Sequence, residues 1–119
     1  MKSLLKWGLV LFGGYSLVGC NLVCQDKVAS ESTSPDQVLT VTAFVRDCGA
    51  TTEFSTIATL HKQGAGFRDN EDIVFVAKGV HKLQVAWTAQ RAVKVQCTDC
   101  QRNQIFKEVT KVADIDISY

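Results

Sequence analysis

Lys82-Leu83-Gln84-Val85-Ala86-Trp87-Thr88 and, a few residues on, Val93-Lys94-Val95-Gln96-Cys97-Thr98 decide the fold. In the first run Leu83, Val85 and Trp87 fall on one side, and Lys82, Gln84 and Thr88 on the other. In the second, Val93, Val95 and Cys97 oppose Lys94, Gln96 and Thr98. Successive side chains of a strand point to opposite faces, so a period of two marks a strand with one buried face. The end of the chain repeats the pattern, with Ala113, Ile115, Ile117 and Tyr119 against Val112, Asp114, Asp116 and Ser118.

Working back toward the N-terminus, Val38-Leu39-Thr40-Val41-Thr42-Ala43-Phe44-Val45 is rich in β-branched residues and has no helical stripe. Phe54-Ser55-Thr56-Ile57-Ala58-Thr59-Leu60 reads as the next strand. Ile73-Val74-Phe75-Val76-Ala77 is apolar on both faces, as an interior strand is. Residues 62–66 and 68–72 read as loops, Lys78-Gly79 as a turn, and residues 105–109 as a short strand or a helical turn. The expected domain is mainly β, a small antiparallel meander of about six strands closed as a sandwich or a half-barrel. A last strand running to Tyr119 leaves a possible sheet edge, where a partner strand can add, but an ordinary terminal strand is the favoured reading.

The chain has 119 residues, enough for one domain, with 13 Lys and Arg against 12 Asp and Glu. This balance argues against a nucleic-acid partner, which needs a basic footprint, and against a polybasic membrane patch. A folded part of roughly 85 residues buries only about 60–65% of its unfolded surface, so covalent staples are expected.

The N-terminus has the parts of an export signal. Residues 1–6 carry Lys2 and Lys6 and no acid, and residues 7–19 form an uncharged, mostly apolar run. That run is short for a membrane span of about 20 residues. Leu17-Val18-Gly19-Cys20 resembles the lipobox of bacterial lipoproteins. The resemblance implies cleavage before Cys20 and acyl chains, palmitate-like, on that residue, two or three of which hold stably to a membrane where one does not. Removing residues 1–19 leaves 11 basic residues against 12 acidic, a formal charge of −1. Asn21 stands where an Asp would favour the inner membrane, so the outer membrane is favoured in a host that has one. The expected organisation is a signal peptide over 1–19, a lipidated N-terminus and flexible tether over 20–37, and the β domain over 38–119. The tether expectation rests on Ala29-Ser30-Glu31-Ser32-Thr33-Ser34-Pro35-Asp36, too polar to bury much surface, with a reach of roughly 20 Å.

A second likeness covers most of residues 35–119. Pro35-Asp36 before a Val-rich strand, Arg46-Asp47-Cys48-Gly49-Ala50-Thr51-Thr52, Phe54-Ser55-Thr56 and a terminal Ile117-Ser118-Tyr119 resemble a group of small exported bacterial proteins. The likeness implies one compact domain and brings no catalytic residues with it.

Four cysteines remain beside Cys20: Cys24, Cys48, Cys97 and Cys100. In an oxidising envelope they are expected to form disulfides, and sequence leaves three pairings open. Cys97-Thr98-Asp99-Cys100 also has the spacing of a redox pair, but such a pair needs a helix N-terminus or nearby positive charge, and Asp99 opposes ionisation. A zinc site usually takes two paired knuckles and only one is present; His61 and His81 lie on different expected elements. Cys48 with His61 or His81 as base is the conceivable nucleophile, yet Asp47-Cys48-Gly49 reads more simply as a turn and both histidines as solvated surface. Asp69, Asn70, Glu71 and Asp72 lack the ligand order of a calcium loop and adjoin Arg68. Phe75, Trp87 and Tyr119 are expected in the core or half-buried in a sheet, and form an aromatic binding face only if exposed together.

No catalytic residue, metal or cofactor is therefore assigned. The expected function is a membrane-anchored, non-catalytic module that binds a protein or peptide of the envelope, of inhibitor or immunity type. The alternatives are a structural or assembly role at the membrane and, less favoured, a thiol or metal site at Cys97 and Cys100.

Overall fold

The computed structural model describes residues 24–49, 52–67 and 72–119. The Leu17–Cys20 lipobox, Asn21 and the loop residues Asp69, Asn70 and Glu71 lie outside the described residues. Among the described residues nine strands follow one another: β1 (Gln25–Thr33), β2 (Leu39–Asp47), β3 (Ser55–Lys62), β4 (Ile73–Lys78), β5 (Leu83–Ala89), β6 (Ala92–Cys97), β7 (Ile105–Glu108), β8 (Lys111–Val112) and β9 (Ile115–Ser118). One 3₁₀ turn, Arg102–Gln104, precedes β7. The protein is mainly β, as the alternation indicates, in two sheets ordered β1-β2-β3-β4-β7 and β5-β6-β9-β8.

The first four strands are an antiparallel meander. The chain then crosses to the second sheet for the β5–β6 hairpin, returns for β7, and crosses again for β8 and β9. Val41, Ala43, Leu60, Phe75 and Ala77 from one sheet meet Leu83, Val85, Val93, Val95, Ile115 and Ile117 from the other in a single core. These second-sheet residues are the inward members of the alternating pairs, which is why the period of two identified them.

Three expectations change. The tether is the largest correction: Gln25–Thr33 is a nine-residue strand paired along its length with β2. Its composition is polar because it is an edge strand that contributes little to the core. Pro35 and Asp36 form the turn that closes the hairpin. The Ser34 hydroxyl accepts from the N–H of Val38 (3.2 Å) and Leu39 (3.1 Å) and donates to the Asp36 carboxylate at 2.6 Å. That hydroxyl and the Val38 N–H hold the Asp36 carboxyl below its ordinary range. The domain thus begins at or before Cys24, not at Val38.

The terminal strand is the second correction. Ala113 adopts a left-handed backbone (φ 53°), so the stretch from Val112 is a tight hairpin and not one strand. β9 pairs antiparallel with β8 and parallel with β6, so it lies inside its sheet and offers no edge. The meander is accordingly not antiparallel throughout. Third, the strand count among the described residues rises from about six to nine: β1 and the two-residue β8 carry no alternation long enough to read, and β7 is the segment left open between strand and turn. Of residues 105–109, Ile105–Glu108 form β7, and β4 has a neighbour on each side.

The cysteines pair as Cys24–Cys48 and Cys97–Cys100. Beside the first bond, Arg46 on β2 holds Asp26 on β1 through two parallel hydrogen bonds, Nε at 2.9 Å and Nη2 at 3.0 Å. The Asp26 side chain is 1% exposed, and its carboxylate raises the Arg46 pKa above the ordinary value. Gly49 follows with φ 122°, a conformation that other residues resist, and its N–H bonds back to the Asp47 carboxylate at 3.0 Å. The Arg46 to Gly49 segment therefore works as a clasp on β1.

Candidate functional site

The β5–β6 hairpin creates the first feature. Leu83 pairs with Cys97 and Gln84 with Gln96. Continued one step past the strand ends, this register brings Lys82 to Thr98, whose N–H donates to the Lys82 carbonyl at 3.3 Å. One step further, it brings His81 to Asp99, with Nδ1 of the ring 3.3 Å from the carboxylate. The Lys82 N–H donates to the same carboxylate at 3.0 Å. This hydrogen bond, with smaller contributions from His81, holds the Asp99 carboxyl below the ordinary range.

The ring of His81 is fixed from behind. Its Nε2 lies 2.7 Å from the Lys78 carbonyl oxygen, and its backbone N–H donates to the Thr56 hydroxyl at 3.0 Å. Thr56 in turn donates to the Gly79 carbonyl at 2.7 Å. Gly79 has φ 96°, and a Cβ there would come within 3.3 Å of His81 Nε2, so the turn both needs a glycine and lets the ring approach. The side chain of His81 is only 7% exposed, which corrects its expected place as a solvated residue. The candidate ligand atoms of His81, Cys97, Asp99 and Cys100 all lie within 4.8 Å of one another. His61 and His81 are expected on different elements; the hairpin register brings His81, and not His61, to the Cys97-x-x-Cys100 pair.

The second feature is a cleft between the sheets. On one side of it β1 and β5 are laced together: Ser30 Oγ accepts from Val85 N–H at 3.3 Å, Ser32 Oγ from Trp87 N–H at 3.2 Å, and the indole N–H of Trp87 donates to the Ser32 carbonyl at 3.0 Å. Beside this seam, between residues 27–29 and 80–84, opens a cleft of about 390 Å³. Val28, Val45, Val80 and Leu83 give it apolar walls, Lys27 and Lys82 stand at it, and among the described residues its lining holds no acidic side chain. Val28 and Val80 are 47% and 61% exposed.

The other candidates resolve into structural roles. Cys48 is bound to Cys24 and offers no free thiol. His61 is buried, not solvated as expected, with Nε2 2.7 Å from the Thr42 hydroxyl and Nδ1 3.1 Å from the Lys62 carbonyl oxygen. Thr42 also donates to Glu31 at 3.0 Å, so this histidine completes a polar layer on the outer face of the first sheet. Phe67 covers that layer, 4.7 Å from the Phe44 ring and 6.3 Å from the His61 ring, ring centre to ring centre. The aromatics form no common face: Phe75 is in the core, Trp87 is committed to Ser32, and Tyr119 lies against Phe75. Of the acidic loop only Asp72 is described, and its carbonyl accepts from the Leu60 N–H at 2.9 Å. Among the described residues no helix is long and apolar enough to cross a membrane. Comparison with protein-family models, with curated proteins and with solved structures finds no match.

Proposed function

We propose that the chain is a lipoprotein of the cell envelope, held on its membrane through lipid on Cys20, in the outer membrane where the host has one. On this reading its β-sandwich binds a protein or peptide and catalyses no reaction. The lipobox sequence supports the anchor. The observation that carries the binding role is the cleft between β1 and β5, apolar in its walls, with two lysines and, among the described residues, no acid in its lining. An occupant that fits is an extended segment of an envelope protein carrying carboxylates beside small apolar side chains. The carboxylates would meet Lys27 and Lys82, and the apolar groups would cover Val28 and Val80, each buried methylene contributing about 0.8 kcal/mol.

Two measurements test the two halves. The intact mass of protein extracted from membranes should match a chain starting at Cys20 plus two or three acyl groups; an unlipidated mass removes the anchor. A photo-cross-linking residue at Val80, introduced into the lipidated protein in living cells, should give one discrete product. The same residue at Phe106, exposed on β7 at the far edge of the first sheet, should give none. The product should weaken when Lys27 and Lys82 are both changed to Glu. No product at Val80, or one indifferent to the charge reversal, overturns the binding role and leaves a structural role in the envelope.

A further inference from the structure

The corner at the end of β6 brings together four groups of the kind that hold thiophilic metals: an imidazole nitrogen, two sulfurs and a carboxylate oxygen, all within 4.8 Å of one another. We propose that His81, Cys97, Asp99 and Cys100 form a redox-gated site for a divalent cation of the zinc class, and that the Cys97–Cys100 disulfide is its closed, metal-free state. The proposal does not depend on the binding role of the neighbouring cleft.

Three features of the corner support it beyond proximity. The donors suit zinc, which takes four ligands from thiolate, imidazole and carboxylate in a tetrahedron. The ring of His81 is held as metal-bound histidines are held, with one nitrogen on a backbone carbonyl and the other toward the site. Here Nε2 is 2.7 Å from the Lys78 oxygen and Nδ1 is 3.3 Å from Asp99. In the neutral ring, a proton on Nε2 donated to that carbonyl leaves the Nδ1 lone pair facing the cluster. The carboxylate is fixed too, since the Lys82 N–H holds Asp99 Oδ1 at 3.0 Å and the Cys97 sulfur lies 3.7 Å from the same oxygen. These supports belong to the β5–β6 register and to the turn at Gly79, so they do not require the disulfide.

The gating chemistry balances with one co-reactant. A dithiol reductant gives up two electrons and two protons and becomes a disulfide. The Cys97–Cys100 bond breaks and yields two thiols. A divalent cation then binds two thiolates, releasing the two protons, and Nδ1 of His81 and a carboxylate oxygen of Asp99 complete the set. In the reverse direction the disulfide form of the same co-reactant takes up two electrons and two protons and returns to the dithiol, the two thiolates rejoin as the Cys97–Cys100 bond, and the metal is expelled.

The test uses the full-length chain in detergent, reduced with a dithiol that is then removed under exclusion of oxygen. Cobalt(II) is the probe, because thiolate coordination gives it a charge-transfer band and tetrahedral geometry gives it intense visible bands. The reduced chain should bind one cobalt ion with both signatures and lose them when zinc is added, and the unreduced chain should show neither. Reduction also opens Cys24–Cys48, so variants assign the band. Replacing Cys97 and Cys100 with Ser should abolish it, whereas replacing Cys24 and Cys48 with Ser should leave it. His81→Ala should weaken cobalt binding about tenfold or more. Should the Cys24/Cys48 variant fail to fold, alkylation answers the same question: in the metal-loaded wild type Cys97 and Cys100 should be protected and Cys24 and Cys48 modified. The site is overturned by a reduced wild type without the band, by a band that survives in the Cys97/Cys100 variant, or by binding indifferent to His81→Ala. Equal binding by the unreduced chain overturns the gating.

Discussion

Cys24–Cys48 joins residues 24 apart in sequence, and Cys97–Cys100 joins residues 3 apart. The first bond ties the start of β1 to the residue after β2, next to the Arg46–Asp26 pair. β1 brings few apolar side chains to the core, so covalent and ionic links hold what burial cannot. In the chain-entropy view a cross-link of this span stabilises by roughly 3–4 kcal/mol, and one as short as the second by about 2. The second bond lies where hydrogen bonds already fix the chain, from the Thr98 N–H to the Lys82 carbonyl and from the Lys82 N–H to the Asp99 carboxylate. Its contribution to the fold is small, while the donor groups it gathers are many. Two bonds of identical chemistry thus differ in what they span: the first staples an edge strand across 24 residues, and the second closes a corner of 3.

The largest effect expected from breaking this contrast is in the staple. Replacing Cys24 and Cys48 with Ser should lower the unfolding free energy by about 3–4 kcal/mol, and replacing Cys97 and Cys100 by less than about 2, read from denaturant midpoints. Amide exchange should sharpen the result, with protection lost in β1 for the first variant and only around residues 97–100 for the second. Equal losses would show that the two bonds share one structural role.

The ion pair beside the staple ranks next. Asp26→Ala leaves the Arg46 guanidinium without its carboxylate in a site that is partly closed to water. Breaking a fully buried pair costs about 3–5 kcal/mol, and because Arg46 keeps 28% of its side-chain surface exposed the expected loss is nearer 2. Arg46→Lys keeps the charge and loses the two-pronged geometry, so it should cost about half as much. If both variants are neutral by denaturant unfolding, the ion pair adds nothing to the disulfide and the strand pairing that hold β1.

How much of this was legible in the sequence follows from what each segment does. β5, β6 and β9 bury one face, so their alternation is visible and their inward residues are the core. β2 and β3 are buried on both faces, the outer one by a polar layer of Thr42, His61 and Glu31 under Phe67. There the chemistry of a buried residue looks like that of an exposed one, and His61 was read as solvated. β1 was read as a tether because an edge strand held by a clasp needs no hydrophobic signature. The Cys97 corner was half visible. The spacing of the cysteines was plain, but the approach of His81 depends on the register of a hairpin with a one-residue irregularity between Trp87 and Ala89. The alternation did carry a clue: Leu83 and Cys97 share a face, which fixes the parity of the register and so permits His81 opposite Asp99.

Tyr119 offers the smallest expected effect and the finest test of the Cys97 corner. It lines, with Cys97, Cys100 and Phe75, the hollow on another side of the second disulfide. Its hydroxyl lies 2.7 Å from the Val109 carbonyl oxygen and 3.0 Å from that of Val74, and its one proton donates to them. Burial against Phe75, followed by the nearby Glu108 carboxylate, pushes its pKa from 10.0 up to about 12. The folded pKa is raised above the unfolded one, so the stabilisation is complete below pH 10 and is lost as pH climbs from about 10 to about 12. Because the ring is partly exposed, solvent screening should reduce the loss to about 1 kcal/mol. Thermal unfolding across that interval should therefore fall more steeply for the wild type than for Tyr119→Phe, which has no proton to lose. The variant itself should cost about 1 kcal/mol at neutral pH through its missing hydrogen bond. Parallel alkaline profiles would mean that the phenol opens to water without disturbing the fold, and that the last residue closes nothing beside the disulfide.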